Sequence, residues 1–297
     1  MKLLITGGKG QLGCQLKSII ERNSSDIGNL DQRLKDCEFK FIDYDELDIT
    51  NLEEVNNYVQ IFQPDVIINC AAYTNVDGCE NDKDAAFKVN AIGARNLAIA
   101  CEKNGAKILQ VSTDYVFNGE GSVPFTEYDA PQPVSVYGKT KHIGELYIRE
   151  NCRRNFIVRT SWLYGEWGNN FVLTILKAAK EKGHLDVVDD QRGNPTYAED
   201  LAHHILKIIL TDEYGIYHCT GNGECSWYDF ACKIVEYSEI GCSVARVTSD
   251  RINRAAKRPS YSSLDNMMLR ATVGDEMRPW DEALKSFIKK VNLLINH

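Results

Sequence analysis

The chain contains no run of about 18 apolar residues, so no membrane-spanning helix is expected and no membrane partner is implied. The apolar stretch after Met1 runs into glycine at Gly7 and is too short for a signal-peptide core. Basic residues are not in excess: the net charge is -8 and the pI is near 5.4. Such a surface repels phosphate backbones, which argues against nucleic acid as the main partner. A small phosphorylated ligand is still compatible, because backbone amides and a few cations suffice to hold one. There are 10 cysteines but no Cys-x-x-Cys pair, and Cys70 lies inside the apolar run Val-Ile-Ile-Asn-Cys-Ala-Ala. Neither a disulfide framework nor a zinc site is expected; reduced thiols in a cytoplasmic protein are. Internal repeats and low-complexity tracts are also absent. What is present is 43% hydrophobic and 26% charged residues over 297 positions, enough for one large or two modest domains.

Strand and helix patterns alternate from the start. Leu3 to Thr6 reads as a buried strand, Gly7 to Gly13 as a turn, and the following residues through Ile20 as a helix. Residues 21–37 are polar and irregular, a loop insertion. Strands are expected at Phe39 to Asp43, Asp65 to Cys70, 106–112 and Phe156 to Thr160, with helices at Leu52 to Phe62, at 82–103 and from about Val136. This alternation predicts an α/β fold, a doubly wound parallel sheet of Rossmann-like type. Residues 1–161 form the expected dinucleotide-binding domain. Residues 162–297, where the alternation becomes irregular, are expected to form mainly a smaller, discontinuous α/β substrate lobe, with segments near 186–210 returning to the first domain.

Gly7, Gly10 and Gly13 stand in a GxxGxxG spacing between strand and helix, with Gln11 and Leu12 inside the turn. Glycine lets the backbone approach a pyrophosphate, and the helix N-terminus adds partial positive charge. Asp43 ends the second strand, where a carboxylate accepts hydrogen bonds from an adenosine ribose; a solvated strand-end aspartate is the plainer alternative. An acid there favours NADH over NADPH without deciding between them. Asp48 is a second acid for the adenosine end. Ala71, Ala72 and Tyr73 follow the third strand, where small residues leave room for a cofactor.

Tyr137 and Lys141 are one helical turn apart in Tyr-Gly-Lys-Thr-Lys, roughly 6 Å at Cβ. A fixed ammonium beside a phenol is expected to lower its pKa, suiting it to exchange a proton with a carbonyl oxygen. Upstream, Ser112-Thr113 ends a strand, and alternation sends only one of the two hydroxyls toward the site. The expected chemistry is hydride transfer from NADH or NADPH to a ketone, with Tyr137 as proton donor, Lys141 as its charge partner and Thr113 positioning the oxygen. His142, His203 and His204 have no evident catalytic partner and read as structural or surface residues.

Together these residues resemble the extended short-chain dehydrogenase/reductase family, and within it the reductases of dTDP-linked 4-keto sugars. The resemblance covers nearly the whole chain. It rests on Thr-Gly-Gly-Lys-Gly-Gln-Leu-Gly at 6–13, Ser-Thr-Asp-Tyr-Val-Phe at 112–117, Tyr-Gly-Lys-Thr-Lys at 137–141 and Arg-Thr-Ser-Trp-Leu-Tyr-Gly at 159–165. Gly-Asn-Asn-Phe-Val at 168–172, Asp-Gln-Arg-Gly-Asn-Pro-Thr at 190–196 and Arg258-Pro259 extend it. It implies reduction of the C4 ketone of dTDP-4-dehydro-β-L-rhamnose, with Thr113, Tyr137 and Lys141 as the catalytic set. It further implies Asp114 and Tyr115 at the sugar, with Trp162 packed near it or in the core. Asn170 is implied at the phosphates or as a cap, and Arg258 at the diphosphate or in a surface ion pair. Some relatives form dimers bridged by magnesium through a carboxylate in the first helix. The matching residue here is Gln15, a poor ligand for a hard cation, so no metal and a monomer or metal-free homodimer are expected. Two other readings stay open: an epimerase or dehydratase with the same Tyr/Lys pair, and a non-catalytic dinucleotide-binding regulatory subunit. The Asp114-Tyr115 pair lacks the second acid common in dehydratases.

Overall fold

The computed structural model describes residues 1–252 and 254–295. Six parallel strands form the central sheet: β1 (Lys2–Thr6), β2 (Glu38–Ile42), β3 (Val66–Asn69), β4 (Lys107–Thr113), β5 (Asn155–Thr160) and β6 (Gly215–His218). Their spatial order is β2-β1-β3-β4-β5-β6. The chain reverses direction across the sheet between β1 and β3, which opens a crevice at their carboxyl ends.

Strand alternation feeds two cores. Leu3, Ile5, Val66, Ile68, Leu109, Phe156 and Val158 face one side. Leu4, Ile67, Ile108 and Ile157, the residues between them, face the other. Both faces are therefore covered, as a parallel sheet requires. Helices α1 (Gln11–Arg22) and α6 (Ala198–Ile209) pack on the first side. Helices α2 (Leu52–Phe62), α3 (Ala94–Asn104) and α4 (Val136–Asn151) pack on the second. Nearly every residue of α6 is buried, its apolar face against the sheet and its buried Glu199 and Asp200 in ion pairs with Arg22, Lys290 and Arg278.

A third core joins α5 (Phe171–Lys182), α7 (Trp227–Ser238) and α8 (Trp280–Ile295) around Tyr164, Phe230 and Phe287. Strand His184–Val188 pairs in parallel with Ser243–Val247 and contributes Leu185 and Val187 to this core. Helix α6 packs on the main sheet, and β6 then pairs beside β5.

Two local features differ from the sequence expectation. The polar insertion contains a small hairpin, Ser24–Ser25 with Gly28–Asn29, held by charges from distant segments. Asp26 pairs with Lys290 (2.7 Å), and its backbone N–H donates to the fully buried Glu199, which also pairs with Arg22 and Lys290. The long helix expected over 82–103 is broken into Lys83–Phe87, a π-helical stretch Lys88–Gly93 and α3. The bulge presents Asn90, whose Oδ1 accepts from Tyr73 N and whose Nδ2 donates to Tyr73 O and Thr140 Oγ1. One side chain thereby ties the loop after β3 to helix α4.

Helix α4 starts from a Ser135 cap on Gly138 N and approaches its neighbours at contact distance. A Cβ at Gly138 would lie 2.1 Å from the Tyr115 carbonyl oxygen, and one at Gly144 would lie 2.3 Å from that of Asn90. Backbone cannot yield there, so Gly138→Ala and Gly144→Ala should each destabilise the protein by about 1–3 kcal/mol in denaturant unfolding. Gly241, with nothing near its Cβ position, is the control: Gly241→Ala should change stability by about 0.5 kcal/mol or less.

Candidate active site

The carboxyl ends of β1 to β5 open into one cleft of about 820 Å³. Its lining contains Gly7, Gly10, Gln11, Leu12, Gly13, Asp43, Asp48, Ala71, Ala72 and Tyr73 at one end. Thr113, Asp114, Tyr115, Tyr137, Lys141 and Trp162 line the other. The volume suits a dinucleotide with a second ligand beside it.

At the glycine turn, Gly7 has φ +68°, and a Cβ there would lie 2.7 Å from Ala71 N. A Cβ at Gly13 would lie 2.3 Å from the Gly7 carbonyl oxygen. The backbone therefore closes tightly on itself, and only glycine fits at both positions. Helix α1 begins at Gly10 with no side-chain cap, which leaves its first amides for a ligand in the cleft. This cradle, which any larger side chain would fill, fits a pyrophosphate. Asp43 is held by two backbone donors, Lys9 N (2.9 Å) and Tyr44 N (2.8 Å). Asp48 accepts from Thr50 N (2.9 Å). Tyr44 lines the same end and is largely exposed.

Beneath the cleft floor runs a polar chain that sequence reading missed. Thr6 Oγ1 donates to Asn69 Oδ1 (2.6 Å), and Asn69 Nδ2 donates to Gln110 Oε1 (2.7 Å). These bonds lock the ends of β1, β3 and β4 together. Their signal was an Asn or Gln inside an otherwise apolar strand, where an unpaired amide is costly.

At the chemical end, Ser112 and Thr113 separate as alternation requires. The Ser112 hydroxyl points back to Glu145 (2.5 Å), while Thr113 Oγ1 donates to Asp114 Oδ1 (2.9 Å). The Tyr115 ring meets that of Tyr137 edge-on at 5.5 Å. Asp114 Oδ2 is buried without a partner. Burial pushes the Asp114 carboxyl up to about 6, opposed by Ser262 and by the Thr113 hydrogen bond.

The expected acidification of Tyr137 by Lys141 is not what the structure shows. Burial drives the phenol well above its ordinary value; Thr113 opposes this, and Asp114 and Tyr115 reinforce it. Lys141 instead donates to the Val111 carbonyl (2.7 Å). Burial pushes its ammonium down to about 8, with Glu145 and Cys70 opposing. The physical reason is desolvation: both groups are enclosed, and enclosure favours the neutral form of each. Tyr137 is thus a phenol at neutral pH, the form that donates a proton.

Trp162 adopts a left-handed backbone, φ 47°, and its indole stacks on Trp227 at 3.6 Å. A Cβ at Gly193 would lie 2.7 Å from that ring, so the indole is clamped on both sides. Trp227 lines the cleft too, although its sequence context announces only a helix start, the Ser226/Asp229 capping box. Two expected residues fall outside the lining. Asn170 caps α5 through Leu173 N and donates to Gln11 Oε1 (3.0 Å), so it supports the glycine turn from behind; its neighbour Asn169 reaches the cleft. Arg258 forms two hydrogen bonds to Asp77 (2.9 and 3.2 Å), because that carboxylate is the nearest counter-charge. Arg254 lies close enough that burial and the charge of Arg258 push its guanidinium down.

The family model described as RmlD substrate binding domain matches residues 1–293. A dTDP-4-dehydrorhamnose reductase from Aggregatibacter actinomycetemcomitans is 41% identical over 96% of this chain and 97% of its own length. The crystal structure of a dTDP-4-dehydrorhamnose reductase from Clostridium acetobutylicum superposes with a TM-score of 0.93, at 46% identity over 98% of this chain and all of the other. One from Bacillus anthracis, in complex with NADP, has a TM-score of 0.91 at 42% identity, covering 97% and 99% of the two chains. A match over nearly the full length, to a fold and a cleft of this build, decides the matter: the chain belongs to the RmlD substrate binding domain family.

Proposed function

We propose that this protein reduces the C4 ketone of dTDP-4-dehydro-β-L-rhamnose to dTDP-β-L-rhamnose, using NADPH or NADH. The observation that carries this reading is the convergence of Thr113, Tyr137 and Lys141 on one cleft that begins at a capless helix N-terminus. The relatives named dTDP-4-dehydrorhamnose reductase, one of them with NADP bound, support the substrate and cofactor class. The glycine turn and the first amides of α1 would hold the pyrophosphate, Asp43 the adenosine ribose, and Ala71 and Ala72 the space beside it. A bound reduced nicotinamide supplies hydride to the carbonyl carbon.

The chain's own residues do the rest. Tyr137, held as a neutral phenol, gives its proton to the carbonyl oxygen as negative charge develops there. Thr113, fixed by its bond to Asp114, orients that oxygen and the phenol. Lys141 provides positive charge behind the phenol when the phenolate forms, and the enclosing walls make that charge effective. Residues 162–297 would form most of the substrate lobe, with Trp162 and Trp227 against the sugar or base. Arg254 and Arg258 would act as cations near the diphosphate once Asp77 releases one of them. Gln15, buried beside Glu199, offers an amide where a carboxylate would be needed for a bridging metal, which supports a monomer or metal-free homodimer. Ten free cysteines support a cytoplasmic location.

Mixing the protein with dTDP-4-dehydrorhamnose and NADH or NADPH should oxidise one cofactor per product; product without net oxidation would indicate epimerisation and end this reading. Tyr137→Phe should lower turnover by ~10²–10⁴ while dinucleotide binding persists. The pH dependence follows from Lys141. Its ammonium is complete below about 8 and lost above it, so turnover should fall as pH rises through that value. A pH–rate profile flat through that region would remove the charge assigned to Lys141.

A further inference from the structure

Helix α4 meets strand β4 through two consecutive polar contacts just before Thr113. Lys141 Nζ donates to Val111 O at 2.7 Å, and Ser112 Oγ donates to Glu145 Oε1 at 2.5 Å. Lys141 and Glu145 are one helical turn apart, so the two contacts run side by side. Glu145 is in turn gripped by Arg159 of β5 through two bonds, Nε to Oε1 (2.9 Å) and Nη2 to Oε2 (2.8 Å). Both side chains are almost fully buried, at 1% and 2% exposure, which is unusual for an ion pair and demands complete pairing. His142 Nδ1 reaches Glu145 Oε2 at 3.3 Å, and His218 Nε2 stands 3.5 Å from Arg159 Nη1. The Arg159 guanidinium also lies over the Phe117 ring at 5.3 Å.

We infer that Glu145 is a positioning residue for Lys141: with Ser112 and Arg159 it fixes helix α4 in register on β4 and supplies the counter-charge one turn behind the ammonium. The inference rests on the reductase reading only in treating Lys141 as catalytic. The groups facing Lys141 leave Glu145 as its anion. Cys70, after β3, is a thiol pushed up to about 12 by burial and stays neutral. Tyr137, on the same helix face, is a phenol. Asp114 borders the same cleft from the end of β4 but bonds Thr113 instead. Burial raises Glu145, yet the charge and bonds of Arg159, with His142 and Ser112, hold it at about 2, so it is ionised throughout the working range. Arg159 therefore has two opposed effects: it keeps Glu145 ionised, and it offsets part of the field Glu145 exerts on Lys141.

The opposition gives a test by sign. The full-length protein, labelled with carbon-13 at lysine Cε, is titrated by NMR, with Lys141→Arg identifying the resonance. Glu145→Gln should move the Lys141 midpoint down by about one pH unit, and Arg159→Gln should move it up. Arg159→Lys, which keeps the charge, should restore a midpoint near wild type. If the single variants do not fold, Glu145→Gln/Arg159→Met leaves no orphaned charge, and its midpoint should still lie below wild type. Equal midpoints in all variants, or single variants moving in one direction, would overturn the inference. The alkaline limb of turnover should follow the same order. A wild-type protein inactive on the keto sugar would sink the reductase reading, while the NMR titration would still decide the role of Glu145.

Discussion

The site depends on how closely helix α4 can lie against the end of strand β4. Gly138 allows the contact, since its Cα sits where a methyl group would strike the Tyr115 carbonyl. The Ser135 cap fixes where the helix starts, and Asn90 fixes Thr140 from the other side. With those constraints met, Tyr137 and Thr113 face one cleft, and Lys141 reaches Val111. Each chemical group is thus placed by a neighbour on regular structure rather than by a loop, which gives the precision that proton and hydride transfer require.

Electrostatics at this end follow from enclosure. Tyr137, Lys141 and Asp114 all shift toward their neutral forms, because little water reaches them. Burial thus keeps Tyr137 a protonated phenol, the state the proposed ketone reduction needs. The cofactor end works differently. It is lined by backbone: a turn closed by Gly7 and Gly13, a helix with no cap, and a carboxylate held by two amides. Such backbone offers an anion fixed dipoles in a chain whose net charge is -8.

Much of this was readable from sequence where local rules decide. Helix Leu52–Phe62 has an asparagine cap and apolar residues at helical spacing, and it forms over those residues. The glycine spacing at 7–13 needs the turn it makes. The alternation that separates Ser112 from Thr113 is a property of any strand. What escaped depends on partners far along the chain. Strand β6 is four residues of ordinary composition, made a strand by an open edge on β5. The π-helical bulge at 88–93 obeys the packing of α4, not the local sequence. The tyrosine–lysine spacing identified the pair but not its electrostatics, because burial is a property of the folded whole. Arg258 was open to a diphosphate or an ion-pair role, and its partner Asp77, distant in sequence, is set only by the fold.

The hairpin at 24–29 bears on how the molecule is made. Glu199 is sealed from solvent, and its partners come from opposite ends of the chain: Arg22 and the Asp26 amide early, Lys290 very late. A ribosome delivers these in order. Until helix α8 has emerged, a carboxylate in the middle of the first layer lacks one of its two cations, and Asp26 lacks its lysine. The charge pairing of this first layer is therefore complete only once helix α8 has docked, which couples formation of the two layers.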